Sequence, residues 1–200
     1  METEDAWLPG SDTAGWHASQ IKNNFQFDRS HSLMLRFSEW LDTVFAKQLL
    51  IQSVSMPVKK HVLLVSRSGI GQGYGQHVDN AYMGPSRTDL SFTIWLSEQS
   101  DYEGGALVLE DPAGSQSYRL PAGTMILYPS TFLHRVEPVL SGERIVVVGW
   151  IQSRIRDEQR RDLMFELDTA RRMIYKQNGK CEEFDLLCRC YSNLLRIWGE

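Results

Sequence analysis

The hydrophobic rhythm of the chain changes twice. Between residues 31 and 50, Leu33, Phe37, Trp40, Leu41, Val44 and Phe45 recur at intervals of three and four, the spacing of one buried helix face. Ser30 or Ser32 is placed to cap its start. The preceding residues, 1–30, show no period and contain Pro9, Gly10 and Gly15, so they read as irregular. From about 54 to 153 the period becomes that of strands: Val54–Ser66, Asp89–Ser97, Ala106–Glu110, Ser117–Leu120, Thr124–Tyr128, Arg135–Val139 and Glu143–Ser153. Gly104-Gly105, Asp111-Pro112-Ala113-Gly114, Pro121-Ala122-Gly123 and Ser141-Gly142 punctuate them. Short strands at this spacing predict a mainly β fold with flanking helices: a sandwich, jelly roll or barrel. From about 155 the pattern is helical again. Leu163, Leu167, Ala170 and Ile174 form one stripe, and Gly179 fits a helix stop. Phe184, Leu187, Tyr191, Leu194, Leu195 and Trp198 form a second. The two helices make a hairpin that packs on the sheet; a homodimer contact is its alternative use.

Composition narrows the class. A chain of 200 residues with 42% hydrophobic positions can build the core of one domain and carry a short appendage. The net charge of −4 and the lack of a dense Lys/Arg run give no sign of a nucleic-acid partner. No apolar run approaches the roughly 18 residues of a membrane-spanning helix. Met1–Gly10 is acidic and polar, unlike a signal peptide. Cys181, Cys188 and Cys190 are too few and too clustered for a disulfide framework, and they read as helix residues in a reducing cytoplasm.

The chemistry concentrates in His77, Asp79 and His134, with Arg144 ten positions beyond the last. On an extended strand, residues i and i+2 share a face, so His77 and Asp79 can aim at one ion. A second imidazole from a strand far along the chain completes two nitrogens and one carboxylate. That set leaves half a coordination sphere open and suits non-haem Fe(II). Arg144 adds a fixed cation able to hold a carboxylate bidentately. A three-residue loop, Leu140-Ser141-Gly142, would pair Val139 with Glu143 and put His134 and Arg144 on one face. Their separation along the strand is then roughly 13 Å, the span of a short dicarboxylate between two long side chains. The glycines of Gly69–Gly75 precede no helix, so they are not a dinucleotide fingerprint; they let backbone pass close to a ligand or form a bulge. His17, His31 and His61 lack partners at ligand spacing and read as structural or surface residues. Tyr82, Arg87 and Trp95 are available to line the mouth, although aromatics here are more often core.

These residues fall in a longer run: His77-Val78-Asp79-Asn80, Arg87-Thr88-Asp89-Leu90-Ser91, Tyr102-Glu103-Gly104-Gly105, Leu127-Tyr128-Pro129-Ser130, His134, Leu140–Arg144, Trp150–Ser153 and Arg156-Asp157-Glu158. The run resembles the Fe(II)/2-oxoglutarate-dependent oxygenases, most closely the PKHD-type hydroxylases related to prolyl 4-hydroxylases. The resemblance implies a double-stranded β-helix in residues 1–153 and a C-terminal helical extension in 154–200. It implies Fe(II) on His77, Asp79 and His134, 2-oxoglutarate on Arg144, and ascorbate as reductant. It places Tyr74 near the cosubstrate, and Trp95 where relatives often have a cosubstrate-binding tyrosine. The implied reaction spends dioxygen and 2-oxoglutarate to hydroxylate a C–H of a prolyl peptide or a small molecule, releasing succinate and carbon dioxide. Relatives usually carry a further strand and helix before the region of Trp16-His17, so the chain reads as a short form or a truncation. Two rivals stand beside this reading: a cupin-like metalloenzyme that does not use 2-oxoglutarate, and a non-catalytic metal-dependent binding or sensing module.

Overall fold

The computed structural model describes residues 4–13, 18–111 and 113–200. Trp16 and His17 lie outside the described residues, as does the side chain of His61. Three short strands, β1 (Trp7–Pro9), β2 (Lys22–Asn23) and β3 (Phe25–Phe27), precede helices α1 (Ser32–Lys47) and α2 (Leu49–Ser55). Then come β4 (Pro57–Ser68), β5 (Gly73–His77), β6 (Tyr82–Met83), β7 (Ser86–Arg87), β8 (Leu90–Trp95) and β9 (Tyr102–Gly104). The series continues with β10 (Leu107–Asp111), β11 (Gly114–Tyr118), β12 (Met125–Pro129), β13 (Leu133–Val136), β14 (Val139–Gly142) and β15 (Arg144–Ser153). Helices α3 (Glu158–Asn178) and α4 (Glu182–Trp198) follow.

Two antiparallel sheets face each other as a jelly roll. The larger runs β1-β3-β4-β15-β8-β12 and the smaller β11-β10-β13-β5-β2. Alternation along β15 explains the layering. Val147 and Ile151 point outward, where they pack with Phe92 against Leu41 and Phe45 of α1. Arg144, Val146, Val148 and Trp150 point inward and line the space between the sheets. A second apolar cluster closes that inner space around Trp95, Tyr102, Leu107, Tyr128 and Val139.

Several expectations shift. Residues 1–30 are not irregular throughout: β2 pairs with β5 and β3 pairs with β4, pairings that need long-range partners no local pattern shows. The α1 face is centred on Met34, Leu41 and Phe45, leaving Leu33 46% and Trp40 57% exposed at its flanks. His31, not a serine, caps α1: its Nδ1 accepts from the Leu33 amide at 3.2 Å, while Ser30 turns back to Asp28. Val54 and Ser55 still belong to α2, because the chain leaves that helix only at Met56, at φ 40°. The expected loop pairing Val139 with Glu143 does not form. β14 pairs with β9 and β15 crosses to the larger sheet, between β4 and β8. Gly142 does take the left-handed conformation (φ 74°), and a Cβ there would overlap the carbonyl of Asp101.

The C-terminal helices do form a hairpin, ended on its first arm by Gly179. Tyr191, Leu194, Leu195 and Trp198 of α4, each half-buried, pack on Met56, Ile155 and Met164, so the second stripe is the face turned to the core. The first is offset: Arg161, Met164 and Asp168 are buried, while Leu163 is exposed. Apolarity misplaced this face because its polar groups are internally satisfied. Asp168 accepts from Ser53 Oγ (2.6 Å), Arg171 Nε (2.6 Å) and Arg172 Nε (2.8 Å), joining α3 to α2.

Burial opposes ionisation of Asp168, but the bonds from Ser53, Arg172 and Arg171 outweigh it and hold the carboxyl below its ordinary range. A depressed folded-state value stabilises the fold above the unfolded value and loses that stabilisation as pH falls through the folded one. Asp168→Ala is expected to cost about 3 kcal/mol at neutral pH, read from the denaturation midpoint. The deficit relative to the parent should shrink below about pH 4. A deficit equally large at low pH would contradict this account.

Candidate active site

The smaller sheet brings the two histidines together. His77 ends β5 and His134 lies on β13, and the two are direct cross-strand partners. Their ring centroids are 4.2 Å apart. A bulge in this pair sets Tyr74, three before His77, opposite Val136, two after His134. The glycine-rich approach allows close strand contact, since a Cβ at Gly73 would strike the Val136 carbonyl at 2.7 Å, and Gly73 also lines the cavity. Asp79 lies two residues beyond the end of β5, so the strand itself does not carry the pair. Asp79 Oδ1 is 3.9 Å from His77 Nε2, and Oδ2 is 3.7 Å from His134 Nε2. One donor atom from each residue falls within 4.8 Å of the others.

Hydrogen bonding sets the tautomers. His77 Nδ1 lies 2.8 Å from the carbonyl of Gly75, and His134 Nδ1 lies 3.0 Å from that of Phe132. A carbonyl can only accept, so each Nδ1 carries the proton and each Nε2 lone pair faces the carboxylate. Burial, followed by the proximity of His134, lowers His77 to about 4, which keeps the ring neutral at ordinary pH. Ser91 Oγ donates to Asp79 Oδ2 at 2.6 Å and is itself 2.7 Å from Ser130 Oγ. The donor set, tautomers and carboxylate orientation fit a divalent metal.

Arg144 enters the same cavity from the opposite sheet. It shares the interior with His134 not by lying on one face of a hairpin but because the inner faces of two sheets oppose each other. Arg144 is only 2% exposed, and its Nε has no hydrogen-bond partner. Burial lowers it to about 10, against the opposing influence of Tyr102 and Tyr128, so it stays charged near neutrality. Gly105, at φ 60°, leaves room for it: a Cβ there would sit 3.0 Å from Arg144 Cδ. A buried guanidinium with an unsatisfied donor fits an incoming carboxylate. Trp95 is fully buried with its ring centroid 6.0 Å from the guanidinium carbon, and its Nε1 is also unpartnered.

Tyr74 stacks on His77 at 3.7 Å between centroids, and burial followed by Asp79 raises its hydroxyl to about 12. Tyr82, Arg87 and Trp95 do not line this cavity. Tyr82 is exposed on β6, and Arg87 is engaged by Asp89 and Glu200 at 2.7 Å each. Sequence reasoning gave no role to Ser91, Ser130 or Tyr128, although all three lie in the motif run; their part is to orient or enclose a ligand, which spacing does not reveal. Lys22 and Asn24 also line the cavity, from the stretch read as irregular.

A fold of this topology with this site defines a 2-oxoglutarate oxygenase, and residues 63–152 match the family described as the 2OG-Fe(II) oxygenase superfamily. Residues 157–200 match the PKHD-type hydroxylase C-terminal domain. A PKHD-type hydroxylase of Picosynechococcus sp. is 48% identical over 99% of this chain and 90% of its own length. Another, from Synechococcus elongatus, is 48% identical over 97% of this chain and 89% of its own. The chain belongs to the PKHD-type hydroxylase family, and its activity is a hydroxylation dependent on Fe(II) and 2-oxoglutarate. Among solved structures, a Pseudomonas putida prolyl-4-hydroxylase shares the fold with TM-score 0.53 at 18% identity, over 75% of this chain and 79% of that one. A Trichoplax adhaerens prolyl hydroxylase aligns with TM-score 0.51 at 18% identity, over 79% of this chain and 74% of that one.

Ser91→Ala frees Asp79 to rotate. It is expected to weaken metal binding by about 10- to 100-fold, as loss of an orienting partner typically does. Anaerobic titration of the metal-free protein with Fe(II) measures this; unchanged affinity would show that Asp79 needs no such support.

Proposed function

We propose that His77, Asp79 and His134 ligate Fe(II), that Arg144 anchors the distal carboxylate of 2-oxoglutarate, and that the enzyme hydroxylates a C–H of a prolyl peptide or a small molecule. The observation that carries this reading is the pairing of two Nε2 lone pairs and one carboxylate with a buried, incompletely bonded guanidinium across one cavity. When bound, iron and 2-oxoglutarate supply the oxidising power: one dioxygen yields the substrate hydroxyl, succinate and carbon dioxide.

The protein's own contribution is positioning and enclosure. Neutral imidazoles and one carboxylate hold the metal on one side and leave the other open to ligands. Arg144 fixes the cosubstrate at its far end, with the buried Trp95 ring 6.0 Å from the guanidinium carbon. Tyr74 covers one face of His77 and Tyr128 approaches the edge of His134 at 5.4 Å, limiting water at the ligands. Ascorbate is assigned as the reductant that sustains turnover. Residues 1–153 are assigned as the dioxygenase domain and 154–200 as an extension buttressing it, with the cytoplasm as the compartment.

Adding Fe(II) and 2-oxoglutarate without oxygen should give a visible charge-transfer band, and ascorbate-supported succinate release should follow on admitting air. His134→Ala is expected to abolish iron binding and turnover. Arg144→Ala should spare iron binding and raise the 2-oxoglutarate requirement at least about 100-fold, the loss of one buried charged pair. Undiminished succinate release by either variant contradicts the assignments. A band without succinate would leave a binding module, and no band at all would favour a metalloenzyme of another kind.

A further inference from the structure

The inner face of β4 changes character as it nears Arg144. The outward residues Leu63 and Val65 pack in the cluster that holds α1 against the larger sheet. The alternate residues Leu64, Ser66 and Ser68 line the cavity, so the face passes from leucine to two serines. Ser68 ends the strand, and in the β4–β15 pairing it stands directly opposite Arg144. Cross-strand partners on one face lie about 4.5–5.5 Å apart at Cβ, so this hydroxyl and the guanidinium serve the same corner of the cavity. Both residues are only 2% exposed.

Burying a hydroxyl costs free energy unless it is bonded, and the other hydroxyls of the cavity are committed elsewhere. Ser66 Oγ accepts from Asn24 Nδ2 at 2.7 Å. Ser91 donates to Asp79 and lies 2.7 Å from Ser130. Thr93 bonds Tyr128, and Tyr74 is stacked on His77 at the metal end. Tyr102 bears on Arg144 too, but it does not line the cavity. The Ser68 hydroxyl makes no side-chain bond among the described residues, and its neighbour Arg144 has an unbonded Nε.

We infer that Ser68 is a second anchor for the distal carboxylate of 2-oxoglutarate, its hydroxyl donating to that carboxylate beside Arg144. The inference deepens the cosubstrate reading above and rests on it. A carboxylate offers two oxygens and more lone pairs than one guanidinium uses, so a neutral donor from the adjacent strand adds a bond without adding charge. Such a donor also restricts rotation of the carboxylate about the Arg144 contact, which makes Ser68 a positioning residue for the rest of the diacid. Its small size serves the same end, because a leucine like Leu64 at this corner would occupy the room the carboxylate needs.

The test compares two keto acids on the anaerobic Fe(II)-loaded protein, with affinity read by calorimetry and by the charge-transfer band. One is 2-oxoglutarate. The other is 2-oxopentanoate, which keeps the five carbons and the keto-acid end but lacks the distal carboxylate. The parent should bind 2-oxoglutarate the more tightly. Ser68→Ala should weaken 2-oxoglutarate about ten-fold or more, the loss of one hydrogen bond to a charged group, and leave 2-oxopentanoate unchanged. Unchanged 2-oxopentanoate binding also shows that the variant is folded and holds its metal. Equal weakening of both acids would make Ser68 a packing residue and overturn the inference. So would a variant that binds both acids as the parent does. A parent that shows the band with both acids and prefers neither marks a different failure, that of the Arg144 assignment, and the Ser68 anchor falls with it.

Discussion

The site depends on one antiparallel pair, β5 against β13. Cross-strand partners stand about 4.5–5.5 Å apart at Cβ, a distance at which two imidazoles can share an ion. Pairing alone would leave the rings free to turn. The bonds from Nδ1 to the carbonyls of Gly75 and Phe132 remove that freedom, and both carbonyls lie two residues before the histidine they fix. The same local device is therefore used twice, once on each strand. Asp79 needs a different support because it has left the strand, and Ser91 of the opposing sheet supplies it.

Arg144 shows how topology substitutes for adjacency. It is near His134 in sequence, yet the two reach the cavity from different sheets. Between them the chain leaves β13, runs through β14 beside β9, and crosses to become a central strand of the larger sheet. A strand flanked by β4 and β8 is among the most constrained places in the fold. Fixing a buried cation there keeps it on the opposite sheet from His77 and His134. The carboxylate nearest in chemistry, Asp79, is already engaged by Ser91.

What could be read from the sequence followed the range of the interactions involved. That His77, Asp79, His134 and Arg144 share one cavity was legible because their residue types and motif run are specific, even though the hairpin invoked to align the last two does not form. Strands with strong alternation, such as β8 and β15, appeared near their true bounds. The short β2 and β3 did not, since a two- or three-residue strand is defined by its partner and not by its own pattern. The α3 face was misread for a related reason. Arg161 and Asp168 are buried there because backbone carbonyls ahead of the helix satisfy the one, and Ser53, Arg171 and Arg172 satisfy the other; hydrophobic periodicity scores such positions as exposed.

The segment from Arg87 to Ser91 shows why a motif with no ligand in it can still matter to the site. Its four polar side chains bond in two directions. Thr88 Oγ1 donates to the carbonyl of Asn80, and Ser91 donates to Asp79, so the loop holding the metal carboxylate is gripped at neighbouring residues. Arg87 reaches Glu200 and the carbonyl of Ser153, while Asp89 accepts from the Ser153 amide at 2.8 Å. The same few residues thus hold the C-terminal helices against the barrel and fix the position of Asp79. Displacing the helical hairpin would load this segment directly, and the first group of the triad to feel it would be the carboxylate, the one ligand without a strand of its own.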